Sequence, residues 1–370
     1  MTRSLPTHES TVNFTILRRL TGKLIDRCRL RYIPIVGAIC LVIQVLLLII
    51  QNDTECKGKI CQRSNGSYLN KLSFWNVFSR NKEPLLPPCP LEPTDLQGTL
   101  HPTKEVLTWA ELESKFLNLK PGGHYKPINC TARHRVAIVI PCRDRDIQLK
   151  ILLNNLHPML QRQQLDYSVF VVDLDQAVQF NRALLLNVGA MESLKLYDYE
   201  CFVFHDVDLL PENDHNIYSC PQNPRHMSVA VDTMKYKLPY DNIFGGVAAI
   251  SKEQFYKLNG YSNRYFGWGG EDDDMFNRIN MTNLTITRYP EDIARYTMLR
   301  HARQNENLAR FDILKSGKAT YLRDGINTLK YDRQTLELRP LFTYILANVN
   351  QTEIESGRGI RFDYGEFSNR

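Results

Sequence analysis

From about residue 135 onwards, the chain alternates short apolar runs with longer segments that carry apolar residues on one helical face. Three of the runs have the length and composition of buried strands: VAIVIP at Val136–Pro141, SVFVVDLD at Ser168–Asp175 and CFVFHDVDLL at Cys201–Leu210. The segments LKILLNNLHPMLQ and FNRALLLNVGAMESLK follow the first two runs and have the 3.6-residue period of amphipathic helices. This alternation predicts an α/β fold of βαβ units with a mostly parallel sheet.

Polar motifs end these three predicted strands: PCRDRD, DLDQ and HDVD in chain order. Ligands of parallel sheets bind beyond the carboxyl ends of the strands, so we expect the three motifs to share one crevice. No G-x-G-x-x-G follows the first strand. A dinucleotide cofactor is therefore disfavoured.

One apolar run differs from the others, because Ile33–Ile50 contains no charged residue and just suffices to cross a bilayer as a helix. Basic residues crowd the segment before it, as expected on the cytosolic side of an anchor. A cleaved signal peptide would have a shorter apolar region and small residues at the cut, and a buried core helix would carry polar residues. We predict a single-pass type II protein with a cytosolic tail at 1–31, a transmembrane signal-anchor at 32–51, an extended stem at 52–100 and a lumenal domain at 101–370.

Composition adds little to this organisation. The net charge of +6 is modest and comes partly from the basic residues before the anchor, so no nucleic-acid partner is expected. N-x-S/T triplets after the anchor agree with a lumenal location. They begin at Asn52, Asn65, Asn129, Asn280, Asn283 and Asn350.

Seven of the nine cysteines follow the anchor, in a compartment where disulfides should form. An odd number leaves at least one of them free or bound to another chain. The chain contains no C-x-x-C pair and no zinc-ligand spacing, so a zinc site is not expected.

Asp206 and Asp208 follow the third apolar run directly. In an extended segment, residues two apart point the same way, so both carboxylates could face one magnesium or manganese ion. D-x-D alone is a weak signal, because surface pairs of this kind are common. Its position after a buried strand strengthens it, since two anions at a sheet edge are costly without a cation.

Two further motifs have open alternatives. Arg143 and Arg145 either pair with the neighbouring aspartates in a solvated loop or bind an anionic or nucleotide group. In YTMLRHAR, His301 could ligate a metal, whereas the soft thioether of Met298 places that residue in the core on chemical grounds.

The run YFGWGGEDDD, Tyr265–Asp274, places four carboxylates side by side after paired glycines. Acidic residues in this position suit the first turn of a helix, where they offset the positive end of the dipole. They also suit a substrate site in which one carboxylate acts as a base. The two interpretations are compatible, and Asp274 alone is expected to be purely structural.

Eight segments, taken in order, resemble the β-1,4-galactosyltransferase family: QRQQLDY, FNRALLLNVG, CFVFHDVDLLPENDHN, PRHMSVAVD, FGGVAAIS, FGWGGEDDDMFNR, MLRHAR and RFD. The resemblance runs from about Gly122 to Tyr344, and the combination of W-G-G-E-D-D-D with D-V-D and M-x-R-H is highly specific. It implies a Rossmann-like nucleotide-sugar transferase domain of the GT-A type. It also implies a Golgi type II membrane enzyme that uses manganese and a UDP-sugar.

The resemblance also assigns roles to residues. The manganese ligands would be Asp208, Met298 and His301, which overrules the chemical argument about Met298, and Asp206 would lie beside the metal. The donor site would comprise Pro141, Arg143, Arg145, Phe180, Asn181, Arg182, Val207, Asp208, Ile243, Trp268, His301 and Arg303. The acceptor site would comprise Gly270, Glu271, Asp272, Asp273 and Arg310, with Asp272 as the catalytic base.

The same resemblance implies two disulfides, Cys89–Cys130 and Cys201–Cys220. Cys142 is then left over, and Cys56 and Cys61 can pair in the stem or between chains, so a homodimer stays open. Glycosylation of Asn129 is not expected, because its triplet contains the bridged Cys130.

The implied chemistry is one in-line displacement that inverts the anomeric carbon. Asp272 would remove the proton of the acceptor 4-hydroxyl as that oxygen attacks, while manganese stabilises charge on the departing UDP. Closure of the Trp268 loop and of the segment carrying His301 would exclude water.

Ile243 departs from the family pattern, because members that transfer galactose usually have tyrosine here, beside the C2 group of the donor. Isoleucine leaves room for an acetamide, as in the invertebrate N-acetylgalactosaminyltransferases that this position resembles. We therefore expect transfer of GalNAc from UDP-GalNAc to terminal GlcNAc on a glycoprotein or glycolipid, with galactose as the alternative donor. A non-catalytic lumenal sugar-binding protein and a metal-dependent hydrolase are less favoured, because metal ligands, base and acceptor motif occur together.

Overall fold

The computed structural model describes residues 86–302 and 305–356. Within these ranges, no helix is long and apolar enough to cross a membrane. The predicted tail, anchor and most of the stem lie outside the described residues, and so do Cys56 and Cys61.

The described chain forms ten strands and two sheets. The strands are β1 (Arg135–Pro141), β2 (Asp166–Leu174), β3 (Cys201–His205), β4 (Leu209–Pro211), β5 (Arg225–His226), β6 (Ala230–Val231), β7 (Val247–Ser251), β8 (Arg295–Met298), β9 (Asp332–Leu338) and β10 (Thr343–Asn348). The larger sheet has the order β5-β7-β3-β1-β2-β10-β9, and the smaller has the order β4-β8-β6.

The larger sheet is mixed, where the sequence predicted a mostly parallel one. Strands β3, β1, β2 and β10 run parallel and form its centre. The outer strands β7, β5 and β9 pair antiparallel. The edge strands β5 and β9 are short or polar, so their apolar pattern carried little signal in the sequence.

Seven α-helices accompany the strands in the described residues. They are α1 (Trp109–Lys115), α2 (Asp146–Arg162), α3 (Arg182–Leu196), α4 (Lys252–Lys257), α5 (Glu271–Met281), α6 (Arg310–Thr320) and α7 (Gln351–Ser356). Short 3-10 helices occupy Asp232–Met234, Tyr321–Arg323 and Ile326–Thr328.

The core consists of two apolar layers, one on each face of the larger sheet. Val136, Ile138 and Ile140 of β1 pack in the layer that contains α2. Ala137 and Val139 of the same strand pack in the layer that contains α3. Both faces of β1 are therefore buried, which explains why its sequence is continuously apolar rather than alternating.

The third predicted strand is interrupted, which corrects the expectation of one run over Cys201–Leu210. Strand β3 ends at His205, and β4 begins at Leu209 in the smaller sheet. The residues between them form a turn, in which the Leu209 N–H donates to the Asp206 carbonyl at 3.3 Å. The apolar residues continue through the break because both sheets bury their strands.

Both disulfides implied by the resemblance are present, Cys89–Cys130 and Cys201–Cys220. Cys142 is the buried free cysteine of the described chain. The described sequons begin at exposed asparagines: Asn129, where glycosylation is not expected, and Asn280, Asn283 and Asn350. Asn52 and Asn65 lie outside the described residues.

Gly189 on α3 gives a test of this packing. An added Cβ would lie 2.3 Å from Val139 Cγ1 and 2.9 Å from Val172 Cγ2, so helix and sheet touch at this point. Gly189→Ala should therefore destabilise the chain by about 1–3 kcal/mol through overpacking, although alanine favours helix formation. Urea unfolding measures the change, and Val139→Ala in the same chain should recover part of the loss. A Gly189→Ala variant more stable than the native chain would contradict the packing.

Candidate active site

A cavity of about 620 Å³ opens at the carboxyl ends of β1 and β3, the edge where the sequence predicted a crevice. All but two of the residues that the resemblance assigned to metal, donor and acceptor line it. They are Pro141, Arg143, Arg145, Phe180, Arg182, Val207, Asp208, Ile243, Trp268, Gly270, Glu271, Asp272, Asp273, Met298, His301 and Arg310.

The two exceptions are Asn181 and Arg303. The Asn181 side chain is fully buried, where it caps α3 by accepting from the Leu184 N–H at 2.9 Å. Its amide group donates to the Asn263 carbonyl at 2.8 Å. The Asn181 side chain is therefore a helix cap that positions its neighbours, and its predicted donor contact stays a prediction. Arg303 lies outside the described residues.

The two arginines of the first motif are held in different ways. Arg143 pairs with Asp173 at 3.4 Å and donates to the Val178 carbonyl at 2.8 Å, so the DLDQ motif supports the wall rather than lining it. Arg145 donates to the Ala302 carbonyl at 3.0 Å across the mouth of the cavity. In the described chain, neither arginine forms an ion pair with the neighbouring aspartates, so the solvated-loop alternative is wrong.

The two carboxylates of the D-V-D motif both line the cavity, but they lie in a turn rather than in the extended segment that the sequence suggested, and each has its own partner. The Asp206 carboxylate accepts from Arg182 Nε at 2.6 Å. The Asp208 carboxylate lies 2.8 Å from His301 Nε2.

Strand pairing brings the three expected metal ligands to one wall. Leu209 of β4 pairs with Met298 of β8, and the Leu299 N–H donates to the Asp208 carbonyl at 2.7 Å. His301 follows three residues after Met298 and reaches Asp208. In the described part of the chain, no group of three or more His, Cys, Asp and Glu residues could hold a metal ion. Met298 lines the cavity beside Asp208 and His301.

The electrostatics of Asp208 fit a cation. Burial raises the pKa of Asp208 to about 6, and the neighbouring Asp206 adds to the effect, while His301 opposes it. A carboxylate in this state is costly to ionise without a positive partner. The donor set of carboxylate, imidazole and thioether is therefore compatible with a divalent transition metal.

Arg182, at the first position of α3, connects the two halves of the cavity. It contacts Asp206 at 2.6 Å, the Gly246 carbonyl at 3.1 Å and Glu271 of α5 at 3.7 Å. Burial disfavours its charge, but Asp206 and Glu271 outweigh burial and raise the pKa of Arg182. Among the described residues, Arg182 Nη1 and Glu271 Oε2 are buried and have no hydrogen-bond partner.

The acidic run begins helix α5, as the sequence predicted. Gly270 precedes the helix with φ 93°, and Gly269 has φ 101°, a backbone region that residues with a Cβ rarely adopt. Gly270 offers no side-chain cap, so the carboxylates that follow lie near free backbone N–H groups. The first turn is therefore both a helix start and a wall of the cavity.

The carboxylates of this turn divide by position. Asp274 is buried and pairs with Arg278 at 2.7 Å, away from the cavity, as expected of a structural residue. Asp272 lines the cavity, and its Oδ2 lies 3.0 Å from the position that a Cβ of Gly245 would occupy. Burial raises the pKa of Asp272, with Asp273 as the next cause.

The exposed rim beside α5 is aromatic and basic. Trp268 is 52% exposed and is held by backbone hydrogen bonds to Asn305 and Asn307. The Arg310 guanidinium lies 5.9 Å from the Trp268 ring centroid. Trp268 therefore has one face available to a ligand.

Sequence reasoning assigned no role to several lining residues, among them Tyr240, His226 and Ser228. Tyr240 donates to Asp273 at 3.2 Å. His226 and Ser228 belong to the quoted PRHMSVAVD segment, so the resemblance contained them without a function. Tyr240 lies outside the quoted segments and had no such signal.

Two known families match the described chain. Residues 89–221 match the N-terminal region of glycosyl transferase group 7. Residues 225–302 match the family described as the N-terminal domain of galactosyltransferase. Together the two matches include most of the cavity.

Named relatives point the same way. The chain is 47% identical over 268 residues to human β-1,4-galactosyltransferase 1, covering 71% of this chain and 67% of the relative. It is 44% identical over 269 residues to β-1,4-galactosyltransferase 3 of Cricetulus griseus, covering 71% and 68%.

A solved structure agrees with the GT-A fold expected from the resemblance. It is a mutant Drosophila β-1,4-galactosyltransferase 7 in complex with manganese, UDP-Gal and xylobiose. The TM-score is 0.50 at 28% identity, covering 58% of this chain and 93% of that one.

The burial of Glu271 predicts a pH dependence of stability. Burial raises the pKa of Glu271 from 4.5 to about 7, with Asp272 adding to the shift and Arg182 opposing it. The folded chain therefore binds this proton more tightly than the unfolded chain, so the free energy of unfolding falls as pH rises from about 4.5 to about 7. Glu271→Gln should remove this contribution and stabilise the chain above pH 7 by on the order of 1–3 kcal/mol.

Urea unfolding in a chelating buffer at several pH values measures this effect. Glu291→Gln, at an exposed glutamate that does not line the cavity, is the matched control and should leave the pH profile unchanged. Parallel profiles for the native chain and Glu271→Gln would contradict the prediction.

Proposed function

The chain belongs to the β-1,4-galactosyltransferase family of glycosyltransferases, and on that premise we propose that it is an inverting β-1,4 transferase that moves a hexose from a UDP-sugar to the 4-hydroxyl of a GlcNAc-terminated acceptor. The observation that carries the proposal is the joint occurrence, around one cavity, of a metal-compatible wall and an acidic helix start. A binding protein without turnover would need only one of the two.

Asp208, Met298 and His301 are the residues that would hold Mn²⁺. The ion, when bound, would supply positive charge opposite the diphosphate of the donor. The contact of Asp208 with His301 and the β4–β8 pairing support this assignment. The complex of the Drosophila relative with manganese and UDP-Gal supports the choice of metal.

The donor would bind between the arginines at the end of β1 and the segment after β3. Arg143 is fixed against its wall, while Arg145 spans the mouth, where it can meet an anionic group. Phe180 and Val207 offer apolar surface beside them, suited to a nucleoside.

The acceptor would bind against the first turn of α5, with Trp268 packing on the sugar. Polar atoms without partners, Glu271 Oε2 among them, favour a ligand that brings hydroxyl groups. Asp273 and Arg310 complete this side of the cavity.

Asp272 would act as the general base. Its raised pKa brings the carboxylate closer to the operating pH, which suits proton removal from a hydroxyl. The acceptor oxygen would form a bond to the anomeric carbon as the bond from that carbon to the UDP oxygen breaks. The hydroxyl proton would pass to Asp272, and the configuration would invert.

Two donor sugars remain candidates. The relatives found are named galactosyltransferases, which favours UDP-galactose. Ile243 in the cavity wall favours UDP-GalNAc, because it is shorter than tyrosine and leaves space at the sugar C2 position. The likeness to N-acetylgalactosaminyltransferases stays a prediction from this single residue.

The cellular setting is likewise proposed. The predicted anchor, Ile33–Ile50, supports a single-pass type II protein of the Golgi membrane with a lumenal active site. The exposed sequons Asn280, Asn283 and Asn350 agree with a lumenal domain that is glycosylated.

Replacing Asp272 tests the proposed base. Asp272→Asn should lower the transfer rate by about 10²- to 10⁴-fold, because the proton of the attacking hydroxyl loses its acceptor. Manganese-dependent UDP binding, measured by calorimetry, should persist. Asp312→Asn, at an exposed aspartate outside the cavity, should keep full activity. Undiminished transfer by Asp272→Asn would exclude this residue as the base.

Replacing Ile243 tests the donor. The native chain is assayed with UDP-Gal and with UDP-GalNAc, in the presence and absence of a GlcNAc acceptor and of Mn²⁺. Ile243→Tyr should shift the ratio of kcat/KM toward UDP-Gal by about 10-fold or more, because a tyrosine ring crowds the acetamide. An unchanged ratio would contradict the role of Ile243 in donor choice. Sugar binding without transfer would favour a non-catalytic protein.

A further inference from the structure

The segment that carries Ile243 is anchored by a polar strip that runs from the cavity wall to Arg288 outside it. Three alternate carbonyls, those of Asp241, Ile243 and Gly245, all accept hydrogen bonds from this strip. The strip consists of Arg288, His226 and Ser228. Arg288 does not line the cavity, so it acts on the site through these contacts.

Arg288 makes most of the anchoring contacts. Its Nη2 donates to the Asp241 carbonyl at 2.8 Å and to the Ile243 carbonyl at 2.9 Å. Its Nε donates to His226 Nδ1 at 3.2 Å. Nη2 therefore holds two carbonyls of the turn that delivers Ile243 to the cavity while Nε holds His226, and a lysine ammonium, with one nitrogen, cannot reproduce this set of contacts.

The remainder of the strip extends the anchor to Gly245. Burial, with Arg288 as the next cause, lowers the pKa of His226 to about 3, so the imidazole is neutral. Because Nδ1 accepts from Arg288, Nε2 carries the proton and faces Ser228 Oγ at 3.4 Å. The Ser228 hydroxyl donates to the Gly245 carbonyl at 3.2 Å and accepts from the Val247 N–H at 2.9 Å.

We propose that Arg288 is a positioning residue for donor-sugar discrimination, because it sets how far Ile243 projects toward the C2 group of the donor. The inference rests on the proposed function and adds a residue that touches neither donor nor acceptor. Without the hydrogen bonds from Arg288, the backbone at Ile243 can move away from the donor. The side chain at position 243 then has less influence on the choice of donor.

A double-mutant cycle between Arg288 and Ile243 tests the proposal. The measured quantity is the ratio of kcat/KM for UDP-GalNAc and UDP-Gal in four chains: native, Ile243→Tyr, Arg288→Gln and the double variant. The shift caused by Ile243→Tyr should be about 3- to 10-fold smaller in the Arg288→Gln background than in the native one. Arg288→Lys should give an intermediate result. Equal shifts in both backgrounds would overturn the proposal.

Arg225→Gln is the matched control. Arg225 precedes His226 on β5, donates to the Ile217 carbonyl at 3.3 Å and packs on the Tyr289 ring at 4.4 Å. The effects of Arg225→Gln and Ile243→Tyr on the donor ratio should be additive. Coupling as large as that of Arg288 would show that any disturbance of this region has the same effect, which would contradict the proposal.

The failure of the proposed function would be recognised separately. If the native chain transferred no sugar from any UDP-hexose, the proposed transferase activity would be contradicted, but the role of Arg288 would not. The same cycle is then read from the manganese-dependent affinities for UDP-GalNAc and UDP-Gal by calorimetry. Additive affinities would overturn the role of Arg288, and coupled affinities would support it.

Discussion

A single, partly buried guanidinium connects the two halves of the cavity. Arg182 begins α3, yet it contacts Asp206 after β3, the carbonyl of Gly246 before β7 and Glu271 at the start of α5. Without this charge, carboxylates from two separate elements would face each other in a partly buried space, at a large electrostatic cost. The geometry of the proposed metal wall and of the proposed acceptor wall therefore depends on one side chain.

The sequence predicted the parts of the fold that carry a periodic signal. Strand β1 is apolar from Val136 onwards because Val136 and Ala137 pack on opposite layers, and that pattern was visible in the sequence. The rule that ligands bind beyond parallel strand ends then predicted the crevice near Pro141 and Asp206. Disulfide pairing and ligand roles leave no periodic pattern in the sequence, so they were predicted only from the resemblance to a family.

The remainder depended on contacts between residues distant in sequence. Nothing in CFVFHDVDLL signals that the chain leaves one sheet at His205 and enters another at Leu209, because both sheets bury apolar residues. The D-V-D motif lies in that turn, so the extended conformation assumed for it was wrong, while a shared cation stays a prediction. From the sequence alone, Asn181 could be a ligand contact or a helix cap, and its hydrogen bonds in the fold show the cap.

The segment from Asp241 to Val247 shows why donor choice and base placement belong to one structural unit. Arg288 holds its carbonyls on the outer side, and Arg182 holds the Gly246 carbonyl on the inner side. Ile243 faces the cavity two residues before Gly245, whose missing side chain leaves room for Asp272. A substitution that moves this segment to admit another sugar would also move the surface against which the proposed base packs. Selectivity can therefore change at the Ile243 side chain at little cost to the base, whereas changes in the segment backbone would affect both.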